Sequence, residues 1–181
     1  MAAAAAATGL VLWSVSGDTA QAHPAGTLLA DDAGALEVTS PHARIGKEYW
    51  VALPPAENVS ARPLTLLRGE ITHVPAGLQV KEYRAFSHQE TEGHPLGASP
   101  VGGSPGIPDL TTLRDHSGRP SRVAAHDTGD IFWAVRVRVT GKITGDLTGC
   151  RYYYQQGGVE YRQDLGCVTS IRVGPPLTTE E

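Results

Sequence analysis

The sequence predicts an all-β domain, a β-sandwich of about seven short strands with one long Gly/Pro-rich loop and an N-terminal apolar export helix. Three observations point there. Apolar and polar residues alternate over short runs, most cleanly in "IFWAVRVRVTG" (131–141), and a period of two is the strand signature. Turn residues punctuate those runs, with 21 Gly and 13 Pro in 181 residues. Beyond the N-terminal segment, no stretch sustains the helical period. A chain of 181 residues suits one domain, and 40% hydrophobic with 19% charged residues suits a packed core. A net charge of −4 gives no electrostatic case for nucleic acid.

Residues 1–22 read as an export segment. The run from Ala2 to Val15 is apolar and uncharged, and Ala20-Gln21-Ala22 forms a small-residue cleavage pattern. The run is shorter than the ~20 residues of a spanning helix. No Lys or Arg precedes Arg44, so the basic leader of a signal peptide is missing, and a truncated membrane anchor is the alternative. Both readings place the domain, residues 23–174, outside the cytoplasm, secreted or at the cell surface. Residues 175–181 read as a frayed tail.

Strand candidates follow in order. "ALEVTS" (35–40) is the first and "KEYWVALP" (47–54) the second, stopped by Pro54-Pro55. "PLTLLRGEITHVP" (63–75) is extended, but Leu64 and Leu66 share one parity while Leu67 and Ile71 share the other. A β-bulge at Arg68-Gly69 explains that switch. "GLQVKEYRAF" (77–86) follows the turn at Pro75-Ala76-Gly77. Residues 87–130, with "GHPLGASPVGGSPGIPD" (93–109) at their centre, read as a long loop insertion carrying little core material. A loop of this length is often functional, so it is the first place to look for a working surface.

The chain's two cysteines, Cys150 and Cys167, flank "RYYYQQGGVEYRQDLG", a hairpin. In an oxidising compartment a disulfide between them is expected. A two-residue Gly157-Gly158 turn leaves them diagonal, ~7–8 Å apart, too far for easy bridging. A four-residue loop over Gly157–Glu160 sets them directly opposite, and that register is expected. Parity then gives a core face of Cys150, Tyr152, Tyr154, Tyr161, Leu165, Cys167, Ile171 and Val173. The wet face holds Arg151, Tyr153, Gln155, Glu160, Arg162 and Asp164.

Strand spacing and this final hairpin resemble the immunoglobulin-like β-sandwich domains of exported bacterial proteins of unknown function, actinobacterial in an Arg-over-Lys bias that leaves only Lys47, Lys81 and Lys142. The resemblance implies a fold and no activity. Catalytic motifs fail inspection. "GGSPG" (102–106) matches a nucleophile elbow, but Pro105 follows the serine and offers no oxyanion N–H. "HDTGD" (126–130) contains the aspartic-protease triplet without its partner. "NVS" (58–60) is a glycosylation acceptor pattern in what reads as a surface loop.

The expected function is therefore a non-catalytic interaction or structural module with no cofactor, facing a protein or cell-envelope partner. Its N-terminal segment could also tether it to a membrane. The alternative is copper binding. Cleavage after Ala22 would free His23 as an N-terminal histidine, the ligand used by exported copper proteins on similar sandwiches. Partners would come from His73, His88, His94, His116 or His126, none with a metal-site spacing.

Overall fold

The computed structural model describes residues 23–31, 37–91, 97–104 and 106–175. The proposed export helix therefore lies outside the described residues, and no described helix is long and apolar enough to cross a membrane.

Eleven strands, rather than about seven, make up the described fold. Seven have five or more residues: β1 (Glu37–Ala43), β2 (Glu48–Ala52), β4 (Leu64–His73), β5 (Leu78–Ser87), β9 (Ile131–Val139), β10 (Leu147–Gln156) and β11 (Val159–Val173). The other four, β3 (Glu57–Asn58), β6 (Ala98–Pro100), β7 (Ser121–Val123) and β8 (Asp127–Thr128), span two or three residues each. They form a five-stranded sheet ordered β1-β11-β10-β4-β7, a four-stranded sheet ordered β5-β9-β2-β6, and the pair β3-β8. β1 runs parallel to β11, and every other pairing is antiparallel. The turn at Pro75-Ala76-Gly77 does not make a hairpin, because β4 and β5 belong to different sheets.

One core joins the two larger sheets. Leu64, Leu66, Ile71, Tyr152, Tyr154, Leu165 and Ile171 from the first pack with Val51, Ala85, Trp133, Val135 and Val137 from the second. The predicted parity switch in β4 is present. Burial moves from Leu64 and Leu66 to Gly69 and Ile71. The bulge lies at Leu67, one residue before the expected pair, since Tyr153 and Tyr154 face Arg68 and Leu66.

A second apolar cluster lies on the other face of the four-stranded sheet. Trp50, Phe86, Phe132 and Ala134 are buried there with Leu110, and Val101, Ile107 and Leu113 pack against them. This cluster corrects the reading of residues 87–130. They contribute β6, β7, β8, a 3-10 turn over Leu110–Thr112 and the fully buried Leu110 and Val123. The Gly and Pro residues made the segment look empty, yet its few apolar side chains cover a face rich in aromatic rings. Strand β9 shows the consequence, for its first half is buried on both sides and alternation fails there.

The hairpin corrects the register. Gln156 faces Val159 and Tyr152 faces Gln163, so the turn is the two-residue one. Gly157 and Gly158 both adopt positive φ, 61° and 82°, as a type I′ turn demands. The cysteines start out diagonal, and a bulge brings them together. Thr148 faces Val168 and Cys150 faces Leu165, so Gly166 and Cys167 share one partner, Gly149. Cys150 and Cys167 are disulfide-bonded with Cα atoms 5.7 Å apart. The face assignment stands for Cys150, Tyr152, Tyr154, Leu165, Cys167 and Ile171, all buried. Tyr161 is half-buried and Val173 is 44% exposed.

Candidate functional site

Three polar regions compete for a working role. The first is the outer face of the β4-β10-β11 sheet. Arg151 grips Asp164 through Nε and Nη2 at 2.6 and 2.9 Å, and its Nη1 lies 3.8 Å from Glu70. The Tyr153 hydroxyl donates to Glu70 at 3.1 Å, while the Arg68 guanidinium covers its ring at 4.1 Å. His23 meets the same ring edge-on at 5.4 Å and approaches Glu160 at 3.7 Å. The Arg151 bond holds the Asp164 carboxyl below its usual range, partly offset by burial. Asp164 and Glu70 each have an arginine beside them, so the centre of this face is already neutralised from within.

The second region is the polar margin of the outer cluster. Arg136 reaches Glu48 at 2.9 Å and Glu82 at 2.9 Å. The Arg136–Glu82 contact is an ion pair without a hydrogen bond, for Arg136 Nε and Glu82 Oε1 are both left without a hydrogen-bond partner among the described residues. Beside it, Trp50 Nε1 and Ser99 Oγ are buried without a hydrogen-bond partner among the described residues. Ser99, Trp50, Arg136 and Glu82 form one cross-strand row over β6, β2, β9 and β5. Trp50 and Ser99 are buried in that row, while Arg136 and Glu82 keep part of their side chains exposed and are already paired with each other.

The third region is open. The β1–β2 turn is anchored to β9, for the Gly46 N–H donates to the Val139 carbonyl (2.8 Å) and Val139 N–H to that of Lys47 (3.0 Å). The positive φ of Gly46, 84°, lets the chain reverse there. On the other side, β6 pairs with Tyr49–Val51, and a last bond from the Val101 N–H to the Glu48 carbonyl (3.0 Å) ends its run along β2. The gap is a cleft of about 600 Å³ lined by Gly46, Lys47, Glu48, Tyr49, Pro100, Val101 and Arg138. A shallower depression of about 300 Å³ continues it over Ile45, Gln79 and Thr140, sharing Gly46 and Arg138. Ile45 is 61% exposed, the highest value among large apolar side chains described as exposed. Glu48 is committed to Arg136, whereas Lys47 and Arg138 make no ion pair among the described residues. Sequence reasoning missed this cleft. The only available signal was the turn "ARIGKEY" before a strand.

Predicted site residues fall elsewhere. His23 sits on the polar sheet face. Of its possible partners, His73 ends β4, His88 lies against the Phe132 ring (4.7 Å), and His116 pairs with Glu90 (3.1 Å). His126 occupies a turn with φ of 54°, and His94 lies outside the described residues. No group of three or more His, Cys, Asp or Glu among the described residues is placed to share a metal ion. Asn58 corrects the surface-loop reading of its sequon. It is fully buried, and its Nδ2 donates to the Arg62 and Ala124 carbonyls, both at 2.8 Å. Ser104 closes a tight turn with Ile107, and Asp127 pairs in β8 with Asn58.

The structure thus defines an all-β, disulfide-stapled domain with an open cationic cleft at one end. No family model and no curated protein matches the sequence. Among solved structures, that of the Vibrio cholerae VesB protease aligns with 79% of this chain and 32% of its own at 12% identity. Its TM-score of 0.34 is too low to carry an argument.

Proposed function

We propose that this chain is an exported, immunoglobulin-like β-sandwich that works as a non-catalytic binding module through the cleft between Lys47 and Arg138. Strand order supports the immunoglobulin-like reading. The seven longer strands, taken in chain order as A′, B, C, D, E, F and G, give A′-G-F-C in one sheet and D-E-B in the other. One departure is the disulfide, which joins neighbouring strands F and G instead of bridging the sheets.

The non-catalytic reading draws on the carboxylates with lowered pKa. Asp109 is lowered chiefly by the Thr111 hydroxyl and Asp146 by Ser170 and Arg172, while Asp164 answers to Arg151. At Asp115 burial is the largest influence and is outweighed by bonds from Ser117 and Ala85. All four are tied to structural neighbours, and they are scattered over the fold rather than gathered in one cleft. Export is consistent with the disulfide, since such bonds persist in oxidising compartments.

The observation that carries the cleft assignment is the contrast in charge. Lys47 and Arg138 face open solvent without a carboxylate partner, whereas on the hairpin face Arg68 and Arg151 are paired with Glu70 and Asp164 and Arg162 alone is without an ion pair among the described residues. A photoreactive residue tests it in the producing host: p-benzoylphenylalanine replacing Ile45 at the cleft, or Arg68 on the hairpin face. A defined adduct from position 45 and none from position 68 is expected. The reverse pattern would move the site to the hairpin.

A further inference from the structure

Resting on that reading of the cleft, we infer that its ligand presents an oxyanion, a phosphate or carboxylate group, flanked by an apolar moiety. Five cations lie on the elements that meet at this end. Arg44 and Lys47 are in the β1–β2 turn, Lys81 near the start of β5, Arg138 near the end of β9 and Lys142 in the turn that follows. All three lysines of the chain are among them, and none of the five makes an ion pair among the described residues. In a chain of net charge −4 this is a local reversal of sign. Five further arginines without an ion pair among the described residues, Arg62, Arg114, Arg119, Arg122 and Arg162, lie elsewhere, so what distinguishes this end is the gathering of five such cations around an open cleft, which draws an anion there.

The two cleft cations suit such a group in different ways. Arg138 supplies a planar fork that can hold two oxygens at once, and Lys47 supplies a mobile point charge. Glu48 does not compete for them, because Arg136 already holds it at 2.9 Å. Val101 and Pro100 on one side and Ile45 on the other give an apolar flank, so a ligand larger than a free ion gains from filling the cleft.

Location narrows the source. His23 lies beside Glu160, and Ala25 pairs with Arg162, both toward the hairpin turn. The cleft lies at the opposite end of the same sandwich, beyond the Leu147 end of β10. Arg162 faces Tyr153, so six residue steps, roughly 20 Å at 3.3 Å per residue, separate the first described residues from the Leu147 end of β10. A domain tethered through its N-terminus would hold the cleft away from its own membrane. The oxyanion is accordingly expected on a ligand other than that membrane's lipid headgroups.

Amide chemical-shift titration of the disulfide-bonded chain at about 0.15 M salt, where weak surface attraction is screened, tests the inference. The probes are tripolyphosphate, an octaglutamate peptide, and vesicles rich in anionic phospholipid. Saturating shifts confined to 44–49, 79, 101 and 138–140 with tripolyphosphate or octaglutamate are expected, and the stronger binder names the oxyanion. Lys47→Ala with Arg138→Ala should weaken that probe about tenfold or more, as loss of charge-assisted contacts implies. Arg114→Ala with Arg119→Ala removes the same charge elsewhere and should leave affinity within about twofold. No saturable shifts with either soluble probe, equal weakening by both double variants, or binding to vesicles alone would overturn the inference. Should the adduct from position 45 still form in that event, the cleft remains the binding site and only its ligand class is wrong.

Discussion

The hairpin face and the end cleft are both polar, yet they handle charge in opposite ways. On the hairpin face Arg151 is locked to Asp164, and Tyr153 is bonded to Glu70 beneath Arg68. A partner docking there would have to break or desolvate pairs that already satisfy one another. In the cleft, Lys47 and Arg138 await neutralisation, and an arriving anion displaces only water. Density of charged residues is thus a poor guide to a binding surface, and the balance left after internal pairing is a better one.

The largest expected effects fall on neither surface but on the frame that holds them apart. Trp50→Ala removes a buried ring from the outer cluster and should cost about 3–5 kcal/mol in urea unfolding. Deleting residues 97–108 should destabilise similarly, since it strips β6 and the Val101–Ile107 cover. A deletion that left stability intact would restore the view of this segment as a spare loop. Next comes the staple. Cys150→Ser with Cys167→Ser opens a loop with a sequence separation of 17 and should lose about 3 kcal/mol in the same assay.

Charge effects are smaller and separate the two regions. Asp164→Asn should cost no more than about 1 kcal/mol, as befits an exposed, solvent-screened pair, and should leave ligand binding unchanged. Its pH signature has a definite sign. A carboxyl whose folded pKa is lowered stabilises the fold above its unfolded value near 3.9 and loses that contribution as pH falls through the folded value. Wild type should therefore lose more stability than the variant below about pH 4. Tyrosine behaves inversely. Burial pushes the Tyr152 and Tyr154 hydroxyls above their ordinary value, so the fold weakens as pH rises past about 10, where the unfolded chain ionises first. Absorbance at alkaline pH should show these phenols ionising only with unfolding. Smallest of all, Lys47→Ala with Arg138→Ala should change stability by no more than about 0.5 kcal/mol. A larger loss would mean that these cations serve the fold.

Much of the frame was legible because parity is a strong constraint. The all-β class, the bulge region in β4 and the core face of the hairpin all follow from period-two patterning, and the disulfide from a lone pair of cysteines in a chain expected to be exported. Register was misread because Cys150 and Cys167 were treated as partners on an unbulged ladder. Gly149, with φ of 72° and Thr72 Oγ1 where a Cβ would sit, marks the bulge that unbulged pairing excluded. The 87–130 segment was misjudged because one residue such as Leu110 can cover Trp50 and Phe86 without any periodic signal. Lys47 and Arg138 stand 91 positions apart in the numbering and meet only through the pairing of β2 with β9, so their cleft had no local signature.

The central claim is that the unpaired charges mark the working surface, and photocrosslinking from positions 45 and 68 tests it most directly. The account predicts an adduct from position 45 that disappears in the Lys47→Ala, Arg138→Ala background. An adduct from position 68 alone, or one from 45 indifferent to that background, would contradict it.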